Sequence, residues 1–174
     1  MIDFDIPQVQ ATLLEKGLNL LVAVVLIGFW VSFFILFPQM PAEVPIHSAS
    51  FASGSYTYGN KTAIVLLPII ATLLAVMLFA IRFATSMLNY PVKVTRANVE
   101  VLIQLTRNLL AQMNLLILLL FLGIFIEFAF MAFEQPIPYI GFFHIGFLLY
   151  LVGILMFYVV KIIKKGKALN GKSA

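Results

Sequence analysis

Four stretches of mostly apolar residues, roughly 18–37, 62–81, 109–133 and 142–160, constrain this chain more than any other feature. Each is about as long as the roughly 20 residues a helix needs to cross the hydrocarbon region of a bilayer. Hydrophobic residues make up 63% of the 174 and charged ones 10%, whereas soluble domains run at roughly half and a quarter. A water-soluble core of this size cannot hide that much apolar surface. The expected fold is all-α: a polytopic integral membrane protein, one membrane domain over 1–174 built as a bundle of four transmembrane helices.

The ends of the spans carry their own chemistry. Pro38, Pro41 and Pro45 stop the first helix, because proline lacks the amide donor and clashes with the preceding turn. Pro136 and Pro138 make a tight hairpin of the third and fourth spans. Lys and Arg near span ends stay in the cytoplasm. Lys16, Arg82, Lys93, Arg96, Arg107, Lys161, Lys164, Lys165, Lys167 and Lys172 fall in the N-terminal stretch, the segment 82–108 or the tail 161–174, against Lys61 alone elsewhere. Both termini and the segment 82–108 are therefore expected inside, with the loop 38–61 outside. The first span is expected to be retained rather than cleaved. Asp3, Asp5 and Glu15 precede it, where a signal peptide carries a basic cluster and a shorter apolar run.

Apolar Val99, Leu102, Ile103 and Leu105 recur at helical spacing, so 94–108 reads as a cytoplasmic helix capped by Thr95 and continuous with the third span. Gln104, Arg107, Asn108, Ala111 and Asn114 share one face of it, a polar stripe expected to meet other helices or water. Inside a bilayer, helices associate by close approach at small residues. Gly28 with Ser32, Ala71 with Ala75, and Gly146 with Gly153 are the expected contact faces, and any of them could also serve a homo-oligomer. Pro68 is expected to kink the second span. The residues 166–174 read as a disordered basic tail near anionic lipid.

Ionisable residues within spans are candidates for function because they are costly there. Glu127 lies about two turns from the outer end of the third span, and reflection about the Pro136 turn puts His144 at nearly its depth on the next helix. His47 approaches the same side from the outer loop. A carboxylate and two imidazoles suit a proton-linked ligand site or a zinc-like ion. No His-Glu-x-x-His helix is present, and Glu127 bonded to His144 or Tyr139 as a structural pair is the plainer reading. The serines around His47 lack a carboxylate or lysine placed to complete a hydrolytic site. Zero cysteines exclude thiolate sites, and there is no phosphate-binding glycine loop or nucleic-acid module. Nothing calls for a cofactor. Phe51, Tyr56, Tyr58, Tyr139, Phe142 and Phe143 read as an aromatic belt at the outer interface.

The outer loop carries a pattern. Phe37-Pro38, then Val44-Pro45-Ile46-His47, Gly54, Tyr58-Gly59-Asn60-Lys61 and Leu67-Pro68, followed by Asn89-Tyr90-Pro91-Val92-Lys93-Val94-Thr95 and Asn98, resembles the sixteen-forty-eight domain of unknown function of SdpI-like bacterial membrane proteins. Ser48 and Ala49 stand where that family has an aromatic and an asparagine, and no acidic residue lies between Gly54 and Lys61. The resemblance implies a bacterial plasma-membrane protein and, from its best understood relatives, immunity to a secreted peptide toxin with signalling to a cytoplasmic partner. On this reading the protein is non-enzymatic and holds a peptide or lipid-like ligand at its outer face through His47, Tyr56, Tyr58, Lys61, Glu127 and His144. The rival class is a small transporter or a metal-dependent membrane enzyme using His47, Glu127 and His144.

Overall fold

A computed structural model describes residues 8–48, 56–137 and 140–171. Its elements in order are helix α1 (Leu13–Leu36), strands β1 (Glu43–Ser48) and β2 (Tyr56–Asn60), and helices α2 (Leu66–Ile81), α3 (Val99–Ala132) and α4 (Ile140–Asn170), with short 3-10 turns flanking α2. All four helices, α2 together with its flanking turns, are long and apolar enough to cross a membrane. At about 1.5 Å per residue, α3 is some 50 Å long, well beyond a hydrocarbon layer of about 30 Å, so one end of it must project. It is the central helix, packed against α1, α2, β1 and α4.

Aromatic interlock, rather than glycine approach, joins α1 to α3. The buried residues of α1 are Glu15, Val22, Phe29 and Phe33, a spacing of seven and then four that keeps one stripe on the partner. The Phe29 and Phe33 rings lie 5.4 and 5.8 Å from that of Phe125 on α3. Gly28 instead faces outward, and a Cβ added at Gly28, Gly146 or Gly153 would meet nothing. Those two contact faces are thus corrected, whereas Ala71 and Ala75 of α2 are buried as expected. Nor does Pro68 sit inside a continuous helix. A 3-10 turn, Lys61–Val65, precedes α2, and Pro68 falls in α2's first turn, where its missing amide proton would have had no intrahelical partner.

Between α1 and α2 the chain departs from the all-α expectation. β1 and β2 form an antiparallel hairpin with a bulge between Pro45 and His47, built from residues that suit a pleated strand, such as Val44, Ile46 and Thr57. In a two-stranded ribbon Pro45 can face away from the ladder. Val44, fully buried, joins Phe29, Phe33, Met40, Ile64, Leu118 and Phe125 in one core, which ties the hairpin to the ends of α1, α2 and α3.

At the opposite end α3 starts later and α4 ends later than the sequence suggests. The segment 94–98 is non-helical because the fully buried Asn98 organises it. Its amide donates to the carbonyls of Lys93 (3.0 Å) and Gly166 (3.3 Å) and to Asn170 Oδ1 (2.9 Å), while its Oδ1 accepts from Thr95 N–H. Thr95 Oγ1 also bonds to Asn170 Oδ1, at 2.7 Å. These bonds hold α4 helical through Asn170, where a disordered tail was expected from 166. Gly166 fits here because a Cβ would come within 2.6 Å of Val92 Cγ2.

Candidate functional site

A short reversal sets α3 and α4 side by side. Gln135 N–H donates to the Phe130 carbonyl and Glu134 N–H to that of Met131, the paired bonds of a Schellman ending. Glu134 takes the left-handed conformation (φ 59°) that glycine usually fills. Two turns back along α3, Glu127 faces His144 of α4, with Oε2 3.4 Å from Nδ1 and side-chain exposures of 23% and 17%. Gly123 packs beside the imidazole, where an added Cβ would lie in ordinary contact 3.8 Å from His144 Nε2. That nitrogen is buried and unpartnered among the described residues. Beside the pair, Phe143 is exposed with its ring centroid 5.8 Å from that of His144, and Phe130, one turn on from Glu127, is exposed as well.

The loop candidates are placed less uniformly. His47 lies in β1 opposite Thr57, and Tyr56 in β2 opposite Ser48; the side chains of His47 and Tyr56 are outside the described residues. Tyr58, opposite Pro45, is exposed. Lys61 is committed to structure. Its Nζ donates to the carbonyls of Met40 (2.9 Å) and Phe37 (3.4 Å) and lies 5.1 Å from the Phe37 ring centroid, where a cation suits the free carbonyls past a helix end. Among the described residues no group of three or more His, Asp or Glu side chains could hold a metal ion.

A second polar centre, near the other end of α3, was not expected. Glu15, 1% exposed, lies in the first turn of α1. Its Oε1 is 3.0 Å from both Arg82 Nη2 and Arg107 Nη2, and Arg107 Nε also donates to it at 3.1 Å. Arg107 Nη1 reaches the Val9 carbonyl, and Thr12 Oγ1 donates to Asn108 Oδ1. The polar stripe of α3 thus does face other helices. Two turns further in, Asn114 donates to the Ala75 carbonyl of α2. A signal for Glu15 exists in Thr12-Leu13-Leu14-Glu15, a capping-box pattern before an apolar run. Thr12 Oγ1 does accept from Glu15 N–H, at 3.1 Å, but the Glu15 carboxylate turns to the arginines.

The chain matches no family model, no curated protein and no solved structure.

Proposed function

We propose that this is a non-enzymatic, multi-pass protein of the bacterial plasma membrane that binds a peptide or lipid-like ligand at its outer face, in the manner of SdpI-like immunity and signalling proteins. The observation that carries the reading is the Glu127–His144 pair, a titratable couple with a spare imidazole nitrogen set among exposed phenylalanines. An amphipathic ligand would lay its apolar face on Phe130 and Phe143 and its polar groups on the pair. The hairpin carrying His47, Tyr56 and Tyr58 is the second contact, and the segment 89–108 is the route by which a signal would reach a cytoplasmic partner.

The orientation rests on ten basic residues against Lys61. Single cysteines at two exposed positions of this cysteine-free chain test it. Thr57→Cys should react with a membrane-impermeant thiol reagent on intact cells and Ala97→Cys should not; the reverse pattern refutes the orientation. Function is tested by expression in a host sensitive to a cationic amphipathic peptide. Wild type should raise tolerance, and Glu127→Gln with His144→Gln should remove that gain at an unchanged amount of protein in the membrane. Full protection by the double variant rejects the site.

A further inference from the structure

The end of α4 carries a charged face that the rest of the described protein leaves without counterions. Tyr158 and Ile162 pack against Leu102, Leu105 and Val92, Gly166 lies against Val92, and Asn170 bonds to Asn98, a row at intervals of four residues that faces the start of α3 and the segment before it. At about 100° per residue, Lys161, Lys164, Lys165 and Lys167 fill the remaining side of the helix. Lys164, Lys165 and Lys167 are exposed, and their side chains make no ion pair or hydrogen bond among the described residues. α4 contains no Asp or Glu, and Glu100 at the start of α3 accepts from Gln104. Like charges three and four residues apart repel along a helix.

The position of the lysines says which anions can reach them. α4 has 31 residues and is about 46 Å long, against a hydrocarbon layer of about 30 Å. Its exposed large apolar residues run from Phe142 to Val160, and the charges begin at the next residue. Leu149, Met156, Phe157 and Val160 lie on the side of the helix that Lys161, Lys164 and Lys167 continue. Lys161 turns back along the helix, its Nζ 5.4 and 5.6 Å from the ring centroids of Phe157 and Tyr158. That ammonium sits at the level of the last apolar turn, where a lipid headgroup at the hydrocarbon boundary meets it and a soluble polyanion does not.

We propose that this lysine face is a docking surface for anionic phospholipid, with headgroup phosphates on Lys161, Lys164, Lys165 and Lys167 and acyl chains along the exposed apolar side of α4. By screening the lysines from one another, the lipid tightens the end of the helix and with it the bonds of Asn170 to Asn98 and to the Lys93 carbonyl. Lipid composition thereby sets how firmly the segment before α3 is held. The inference rests on the helices crossing a bilayer; it is independent of the Glu127–His144 reading and of which end faces the cytoplasm.

The test compares the full chain in nanodiscs of phosphatidylcholine alone and in nanodiscs with about a third of the anionic lipid phosphatidylglycerol, read by hydrogen exchange. Exchange in 162–170 should slow about fivefold with phosphatidylglycerol, the contribution of one lysine held near an anionic surface, and exchange in the hairpin 43–60 should not change. Salt at about 1 M, where the Debye length falls to about 3 Å, should remove most of the slowing. The combined variant Lys161→Gln, Lys164→Gln, Lys165→Gln and Lys167→Gln should lose the response, and arginine at the same four positions should keep it. The proposal is overturned if phosphatidylglycerol leaves exchange in 162–170 unchanged, or if the glutamine variant responds as wild type does. It is equally overturned if soluble polyglutamate slows exchange in phosphatidylcholine nanodiscs while phosphatidylglycerol does not, which assigns the face to an acidic protein. The wild-type comparison between the two lipids stands even if the glutamine variant fails to fold.

Discussion

Near one end of α3, Glu15 is buried under Arg82 and Arg107, each 3.0 Å away; near the other, Glu127 meets His144 alone among the described residues, at 3.4 Å and with both side chains part-exposed. The contrast separates a carboxylate that holds elements together from one that is free to act. Glu15 links α1, the end of α2 and α3, and has no freedom to lose a partner. Glu127 joins only α3 and α4, which already pack against each other. Removing a charge should therefore hurt the fold at the first place and the activity at the second.

The largest effect is expected from Glu15→Ala, which strips the partner from two largely buried guanidinium groups. Breaking a buried ion pair from one side costs about 3–5 kcal/mol. Titration with a denaturing detergent in mixed micelles should show that loss of stability, and a cost near zero would end the contrast between the two carboxylates.

The difference between the centres also explains what the sequence revealed. Reflecting a helical rise across a short turn is local geometry, and it correctly brought His144 beside Glu127. Glu15 and Arg107 are 92 residues apart, and no periodicity relates α1 to the start of α3. The four helices were legible because the apolar runs match the thickness of a bilayer. The small-residue face at Gly28 was misread because Phe29, Phe33 and Phe125 mesh by shape, a property of the packed pair that neither helix carries alone. Asn98 reads in sequence as one more helical polar residue. Its role depends on Gly166 and Asn170, which come into range only after α4 has docked.

The next effect in size tests that network. Asn98→Ala removes the donor to Lys93 and Gly166 and the acceptor for Thr95 N–H, and leaving buried groups unmatched costs about 1–3 kcal/mol. Hydrogen exchange should quicken in 93–98 and 162–170 and stay unchanged in the hairpin 43–60. Acceleration throughout the chain would show that the two ends are not independently held.

A smaller effect, with a pH signature, is expected at Tyr90, whose hydroxyl donates to the Thr85 carbonyl at 2.8 Å. Burial raises its pKa above 10.0, outweighing the opposing hydrogen bond with Thr106. A raised folded pKa means that the folded protein holds the proton more tightly than the unfolded chain. The stabilisation is full below pH 10.0 and declines as pH rises toward the folded value. Tyr90→Phe should cost about 1 kcal/mol at neutral pH and show a shallower loss of stability above pH 10.0 than wild type. Parallel alkaline profiles would reject the assignment.

The smallest structural effect is expected at Glu127. Glu127→Gln keeps the shape and one oxygen acceptor for His144 while removing the ability to ionise, and hydrogen bonds within a membrane are typically worth about 0.6 kcal/mol. In the detergent titration it should lie within about that distance of wild type, far from Glu15→Ala. Its peptide tolerance should nonetheless fall, because an amide cannot pass a proton to the imidazole or take one from it. A stability loss as large as that of Glu15→Ala would make Glu127 another buried strut. Unchanged tolerance with unchanged stability would leave the pair without a function and transfer the search for a ligand to the hairpin residues His47 and Tyr58.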